Sequence, residues 1–306
     1  MKNFRTIPHD RIDRATWDHC VMQDPNGLPY AQSWFLDVVA PEWSGLVYGD
    51  YELVFPLTCR KKWGMTYMMQ PPFTQQLGWF GHAGAEVTTK DILSALPGDI
   101  RLIVYNLHQG IAEVPGTEVR WNRNVCLDLS SETDDIRKGY STNLKRNLKR
   151  AANGGIVIQD GNDLEPVIRM FRENRGKDLA GLNDAIYDVL RNIYRSAMDN
   201  AGADILYAFD PEGSLMGGVM FLQWKDRTIF SFSGLSEEGK KQGAMAAIVD
   251  EMIGRKAGRA GSMLDFEGSN DENLARFYMS FGSQEMKYAT VRINRLPWYV
   301  KWLKRG

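Results

Sequence analysis

The stretch Ser262–Gly282, SMLDFEGSNDENLARFYMSFG, changes its period in the middle. Met263, Leu264 and Phe266 sit in a short apolar run, the pattern of a buried strand. Gly268 interrupts the run. Ser269 stands three residues before Glu272, the spacing of a helix N-cap with its capping box. Leu274, Phe277, Tyr278 and Phe281 then recur at i, i+3, i+4 and i+7, one apolar helix face that Gly282 is placed to end. The segment therefore reads strand, tight turn, helix. Asp265 and Glu267 fall at the C-terminal end of the strand, where open α/β sheets bind ligands. Two readings of these carboxylates stand side by side: turn caps paired with a nearby arginine, or a polar cluster facing a ligand.

Working outward, the chain has 306 residues, 43% of them hydrophobic and 25% charged, which suits about two soluble domains with cores of their own. The net charge of −1 gives no whole-protein attraction to nucleic acid, and DNA is not an expected partner. Cys20, Cys59 and Cys126 lie far apart without a CxxC spacing, so neither a zinc motif nor a disulfide framework is expected. No metal and no tightly bound cofactor is indicated. The first residues lack the apolar core of a signal peptide, and no run approaches the ~18 apolar residues of a spanning helix. The expected location is the cytoplasm, with no integral membrane segment.

The first half reads as two helices, Arg11 to Cys20 and Gln32 to Val39, followed by an antiparallel meander. Its strands are expected at Leu46 to Gly49, Tyr51 to Cys59 and Met65 to Gln70, with a turn at Lys61 to Gly64. PPFTQQLGWFG, from Pro71 to Gly81, is neither good helix nor good strand. It is either a rigid loop packed through its aromatics or a pocket wall, with Phe73 against a substrate and Gln75 and Gln76 offering amides.

The second half opens with one expected helix, Ser131 to Ala152. Its start is acidic and its end basic, as the helix dipole favours. Arg137, Lys138, Lys145, Arg146, Lys149 and Arg150 follow one another with no acidic residue between them. The run is either a solvated face or a phosphate-facing surface. Further strands and helices alternate from there, ending in a strand at Gln284 to Ile293. In the glycine-bearing loop Glu237 to Ala244, near the start of the expected helix Lys240 to Lys256, Gly243 leaves backbone N–H groups free to approach an anion. The chain ends in Trp298, Tyr299 and Trp302 with Lys301, Lys304 and Arg305, either a docked helix or a peripheral membrane contact.

PPFTQQLGWF, YSTNLKRNLKRA and LDFEGS followed by LARFYMSFG, in that order, resemble FemAB-type proteins of the GNAT acyltransferase superfamily. The resemblance implies an α+β (α/β mixed) tandem double GNAT-like fold. Its expected domains are 1–125, lacking a working donor site, and 126–306. It implies an N-acyltransferase that moves an aminoacyl or acyl group from aminoacyl-tRNA or acyl-CoA to an amine acceptor, a small molecule or a peptide such as a peptidoglycan precursor. A CoA thioester would then be a donor substrate. Lys240, Gly243 and Met245 stand where the GNAT diphosphate loop has Gln or Arg, then Gly, then Gly or Ala. Asp265 and Glu267 are the catalytic candidates. Lys145, Arg146, Lys240, Lys241, Gln242 and Gly243 are the donor-binding candidates. Phe73, Gln75, Gln76, Tyr140, Asn143 and Ser269 are the substrate-binding candidates. A non-catalytic binding protein on the same fold is the rival expectation. Its mark would be a cleft that is filled by side chains or lacks convergent polar groups.

Overall fold

The computed structural model describes residues 3–81, 87–108, 115–178, 183–268 and 270–297. The chain divides into two compact units, Met1–Asn122 with Lys287–Gly306, and Arg123–Met286.

The first unit opens with a strand, β1 (Phe4–Ile7), ahead of helices α1 (Arg14–Gln23) and α2 (Ser33–Val39). The first helix starts later than its sequence predicts because Asp13 caps it, accepting from the Thr16 amide at 3.1 Å. The expected strand Tyr51 to Cys59 is two strands, β3 (Leu53–Leu57) and β4 (Cys59–Lys62); β2 (Ser44–Tyr48) precedes them. Next come β5 (Met65–Met69), β6 (Phe80–Gly81), α3 (Thr89–Ala95) and β7 (Ile100–Leu107). Strands β1, β2, β3 and β6 form an antiparallel sheet. A second array is not a simple meander, because β5 and β7 run parallel.

β8 (Glu118–Asp128) carries the chain into the second unit. The helix expected over Ser131 to Ala152 is broken into α4 (Thr133–Lys138) and α5 (Thr142–Asn153). The break is at Ser141, whose side chain caps α5 at the Leu144 amide, 3.2 Å away. There follow β9 (Val157–Gly161), α6 (Glu165–Glu173), α7 (Asp184–Asn200), β10 (Ala203–Phe209), β11 (Leu215–Trp224) and β12 (Arg227–Leu235). The expected helix Lys240 to Lys256 is also two, α8 (Glu237–Gln242) and α9 (Ala244–Lys256), parted by Gly243. The opening stretch folds as strand, turn and helix: β13 (Met263–Asp265) and α10 (Glu272–Met279). Asp271 is the N-cap of α10, two residues after the expected cap Ser269, which lies outside the described residues.

Strand order in this unit is β8-β13-β12-β11-β10-β9. β12 and β13 run parallel and the other neighbours antiparallel. One face of the sheet, through Leu127, Phe221, Phe230, Leu264 and Phe266, packs on apolar residues of α5, α9 and α10. At the end of β13, Glu267 and Gly268 both take φ of 55°. A side chain on Gly268 would place its Cβ 2.3 Å from the Arg123 carbonyl oxygen, so only glycine fits this turn.

The last strand, β14 (Gln284–Asn294), carries the chain back to the first unit, where Ala289–Asn294 pairs with Leu102–Leu107 of β7. The chain from Lys287, which the sequence reading places in 126–306, groups with the first unit. The aromatic, basic end from Trp298 lies outside the described residues.

Candidate active site

The second unit holds a cavity of about 920 Å³. It exists because β12 and β13 pair over only three residues, Arg227–Ile229 with Met263–Asp265. β13 ends there, while β12 runs on to Leu235 with no strand among the described residues beside it on that side. Against β11, β12 carries one extra residue: Phe230 pairs with Phe221 and Phe232 with Met220, leaving Ser231 over. Such a bulge bends and re-aims a strand. Phe230, Ser233 and Leu235 line the floor. Leu274, Phe277 and Tyr278 of α10 form one wall, and Gly239, Lys240, Gly243 and Met245 the other. Asn147 of α5 and Asn174 and Arg175 after α6 complete the rim. The lining is mostly apolar with few polar groups, as ligand sites usually are.

Tyr278 is the reactive group best placed in this cavity. Its ring is stacked on Phe266 with centroids 4.6 Å apart, and stands 5.8 Å from Phe230. Among the described residues its hydroxyl has no hydrogen-bond partner, and neither has that of Ser233. Burial, and after it the charge of Glu267, push the phenol well above the ordinary tyrosine range. It stays a proton donor at every physiological pH. The sequence places Tyr278 only on a core-facing helix stripe. The available signal was one phenol in a stripe of Phe and Leu, because a buried Tyr normally finds a partner for its hydroxyl.

Of the donor candidates, Lys240 and Gly243 line the cavity. Gly243 has φ 82°, and a Cβ there would sit 2.7 Å from the Asn147 carbonyl oxygen, which lets α5 approach the α8–α9 junction. Lys241 and Gln242 turn to Glu238, at 3.7 and 2.8 Å. Lys145 is exposed and donates to the Lys138 carbonyl at 3.1 Å, and Arg146 is exposed.

Asp265 and Glu267 do not line the cavity. Side chains alternate along β13, so Asp265 faces away from Leu264 and Phe266. It is buried, takes Arg227 at 2.5 Å, and accepts from the Glu267 amide at 2.9 Å. That is the turn-cap geometry. The charge of Glu267 helps to raise the Tyr278 phenol. Tyr140 gives its proton to Asp250 at 2.9 Å, and Asn143 is exposed. Phe73, Gln75 and Gln76 lie in the first unit, where the Gln75 carbonyl accepts from Asn106 at 2.8 Å.

Residues 138–276 match the family model described as an acetyltransferase (GNAT) domain. This part of the chain is a GNAT domain. The whole GNAT-like fold is that of the crystal structure of FemX, with a TM-score of 0.68 at 11% identity over 93% of this chain and 96% of that one. A conserved protein of unknown function from Bacteroides thetaiotaomicron VPI-5482 scores 0.59 at 12% identity, covering 95% and 99%. The C-terminal domain of a protein described as a lysylphosphatidylglycerol synthetase, from Agrobacterium fabrum, scores 0.55 at 10% identity, covering 92% and 91%. At these identities the likeness is one of fold. No curated protein matches the sequence. The cavity lies between β12 and α10. Among the described residues no group of three or more metal-binding side chains occurs, and no helix is long and apolar enough to cross a membrane.

Proposed function

We propose that this protein is an N-acyltransferase that moves an aminoacyl or acyl group from an activated ester to an amine held in the second-unit cavity. One observation carries the reading: the unpaired edge of β12 beyond Ile229 forms the floor of a cavity whose wall presents the Tyr278 hydroxyl. Free backbone groups on that edge would bind an extended donor as an added strand does. In the reaction the amine nitrogen forms a bond to the donor carbonyl carbon. The oxyanion takes hydrogen bonds from β12 amides and the Ser233 hydroxyl. The carbon–oxygen bond to the carrier then breaks, and Tyr278 protonates the departing oxygen. The proton shed by the attacking amine restores the phenol. No protein nucleophile takes part.

The donor in this proposal is a polyanion of the aminoacyl-tRNA kind. Lys145, Arg146 and Lys149 of α5 are exposed, and among the described residues none has a carboxylate partner. They flank Asn147, which reaches the cavity rim. On the CoA side, Met245 fills the position where a diphosphate loop has Gly or Ala, and Glu237 lines the same wall. The acceptor is a small-molecule or peptide amine.

The test is product formation. The protein is incubated with charged tRNA or acyl-CoA and a peptide amine, and the amide is detected by mass spectrometry. Transfer from charged tRNA supports the reading, with Lys145, Arg146 and Lys149 changed to alanine raising KM and flattening its salt slope by roughly two to three. Transfer from acyl-CoA alone overturns the donor. Saturable binding without transfer from any donor leaves the non-catalytic protein.

A further inference from the structure

The β4–β5 hairpin in the first unit turns on Trp63 and Gly64, between Lys62 and Met65. Both turn residues have positive φ, 51° and 71°, as a two-residue hairpin turn requires. Asn, Asp and Gly suit that backbone, and a tryptophan there is strained. Trp63 is also 79% exposed, the most exposed of the large apolar side chains among the described residues. Arg60, Lys61 and Lys62 precede it, all exposed, and among the described residues none has a carboxylate within ion-pair reach. Lys62 Nζ lies 4.7 Å from the centre of the Trp63 ring. In register, Arg60 faces Tyr67 and Lys62 faces Met65, so cations and half-exposed apolar groups share one face of the hairpin.

Cations on an outer strand guard against edge-to-edge pairing, and β4 is the outer strand of its sheet. That role does not call for an exposed tryptophan at the tip. We propose that the tip is a contact for an anionic lipid surface, with Trp63 entering the headgroup layer and Arg60, Lys61 and Lys62 meeting lipid phosphates. The shape favours a plane: single-stranded nucleic acid is held in grooves with successive aromatic platforms, whereas this is a convex turn with one. A second copy paired through β4 would set the three cations against themselves. With a net charge of −1 the whole chain is not drawn to such a surface, so the attraction is local to the hairpin.

The experiment is co-sedimentation with vesicles of equal parts phosphatidylcholine and phosphatidylglycerol, against phosphatidylcholine alone. Tryptophan emission is followed for the native chain and for Trp63→Phe. Binding to the anionic vesicles only is expected, with a blue shift that Trp63→Phe lacks. Changing Lys61 and Lys62 together to serine should weaken binding about thirtyfold. Trp63→Ser should weaken it severalfold, with an unchanged thermal midpoint as the check on folding. No binding by the native chain, or equal binding by the variants, overturns the proposal. So does an effect of Trp63→Ser on RNA binding or on oligomeric state with vesicle binding unchanged.

Discussion

Tyr140 donates its phenol proton to Asp250 across 2.9 Å, on the carboxylate that Arg137 grips with two N–H groups at 3.0 and 2.7 Å. One acid of α9 thereby holds both the end of α4 and Tyr140, the residue before the N-cap of α5. Tyr140 is a staple of the GNAT domain and does not reach the cavity. Tyr140→Phe should cost about 1 kcal/mol, because Arg137 still satisfies the acid. Asp250→Asn loosens both partners and should cost about 2 kcal/mol, with Arg137 partly exposed. Urea titration measures both, and transfer activity below the midpoint should be unchanged for each.

The same tyrosine sets a pH dependence. Burial, then the charge of Asp250, hold its phenol well above the ordinary range, and burial does so for Tyr105. A raised phenol keeps its proton in the folded state while the unfolded chain releases it near pH ~10. Stability from these groups is therefore full below about pH 10 and falls as pH rises further. Denaturation midpoints measured across that range should fall less steeply in Tyr140→Phe, by up to one proton.

The change at Gly268 was enough to read strand, turn and helix around the site, because a short buried apolar run marks β13 and a 3.6-residue apolar repeat marks α10. The breaks at Ser141 and Gly243 were harder to read. Each continues an apolar stripe across a cap, and only the close approach of α5 to Gly243 requires the second. The cavity was not legible. It depends on where β12 and β13 stop pairing and on the extra residue Ser231, which leave no mark in local composition. The carboxylates of DFEG drew attention through charge, yet alternation along β13 turns Asp265 to the far face of the sheet.

Asp265 therefore should behave as a structural residue. Its side chain is 4% exposed and that of Arg227 23%. Asp265→Asn leaves the guanidinium without its charge partner and weakens the turn bond to the Glu267 amide. A loss of about 2–3 kcal/mol is expected, below the fully buried case because Arg227 reaches water. Thermal melting should show it, while kcat/KM at low temperature stays within severalfold of the native value. A loss of a thousandfold with full stability would return Asp265 to the chemistry.

Gly243→Ala tests the junction of α8 and α9. The new methyl would meet the Asn147 carbonyl oxygen at 2.7 Å, on a backbone with φ 82°. Neither strain is relieved by turning a side chain, so the cost should be about 2 kcal/mol or more. Because Asn147 and Gly243 both line the cavity, donor KM should rise as well, which separates this variant from Asp265→Asn.

The sharpest test of the proposed chemistry is the dependence of Tyr278→Phe on the leaving group. If the phenol protonates the departing oxygen, its removal costs most when the leaving group is a poor one. General acid catalysis supplies about 10²–10⁴-fold, and a good leaving group needs little of it. Donors carrying the same acyl group on alcohols of decreasing pKa should therefore show a shrinking difference between native and Tyr278→Phe enzyme, in kcat rather than KM. Removing the hydroxyl leaves the stack on Phe266 in place, so stability should change little. Glu267→Gln should lower the Tyr278 pKa, since its charge is the second cause of the shift, and have a smaller effect on rate. A deficit in Tyr278→Phe that is the same for every leaving group would assign Tyr278 to donor positioning instead.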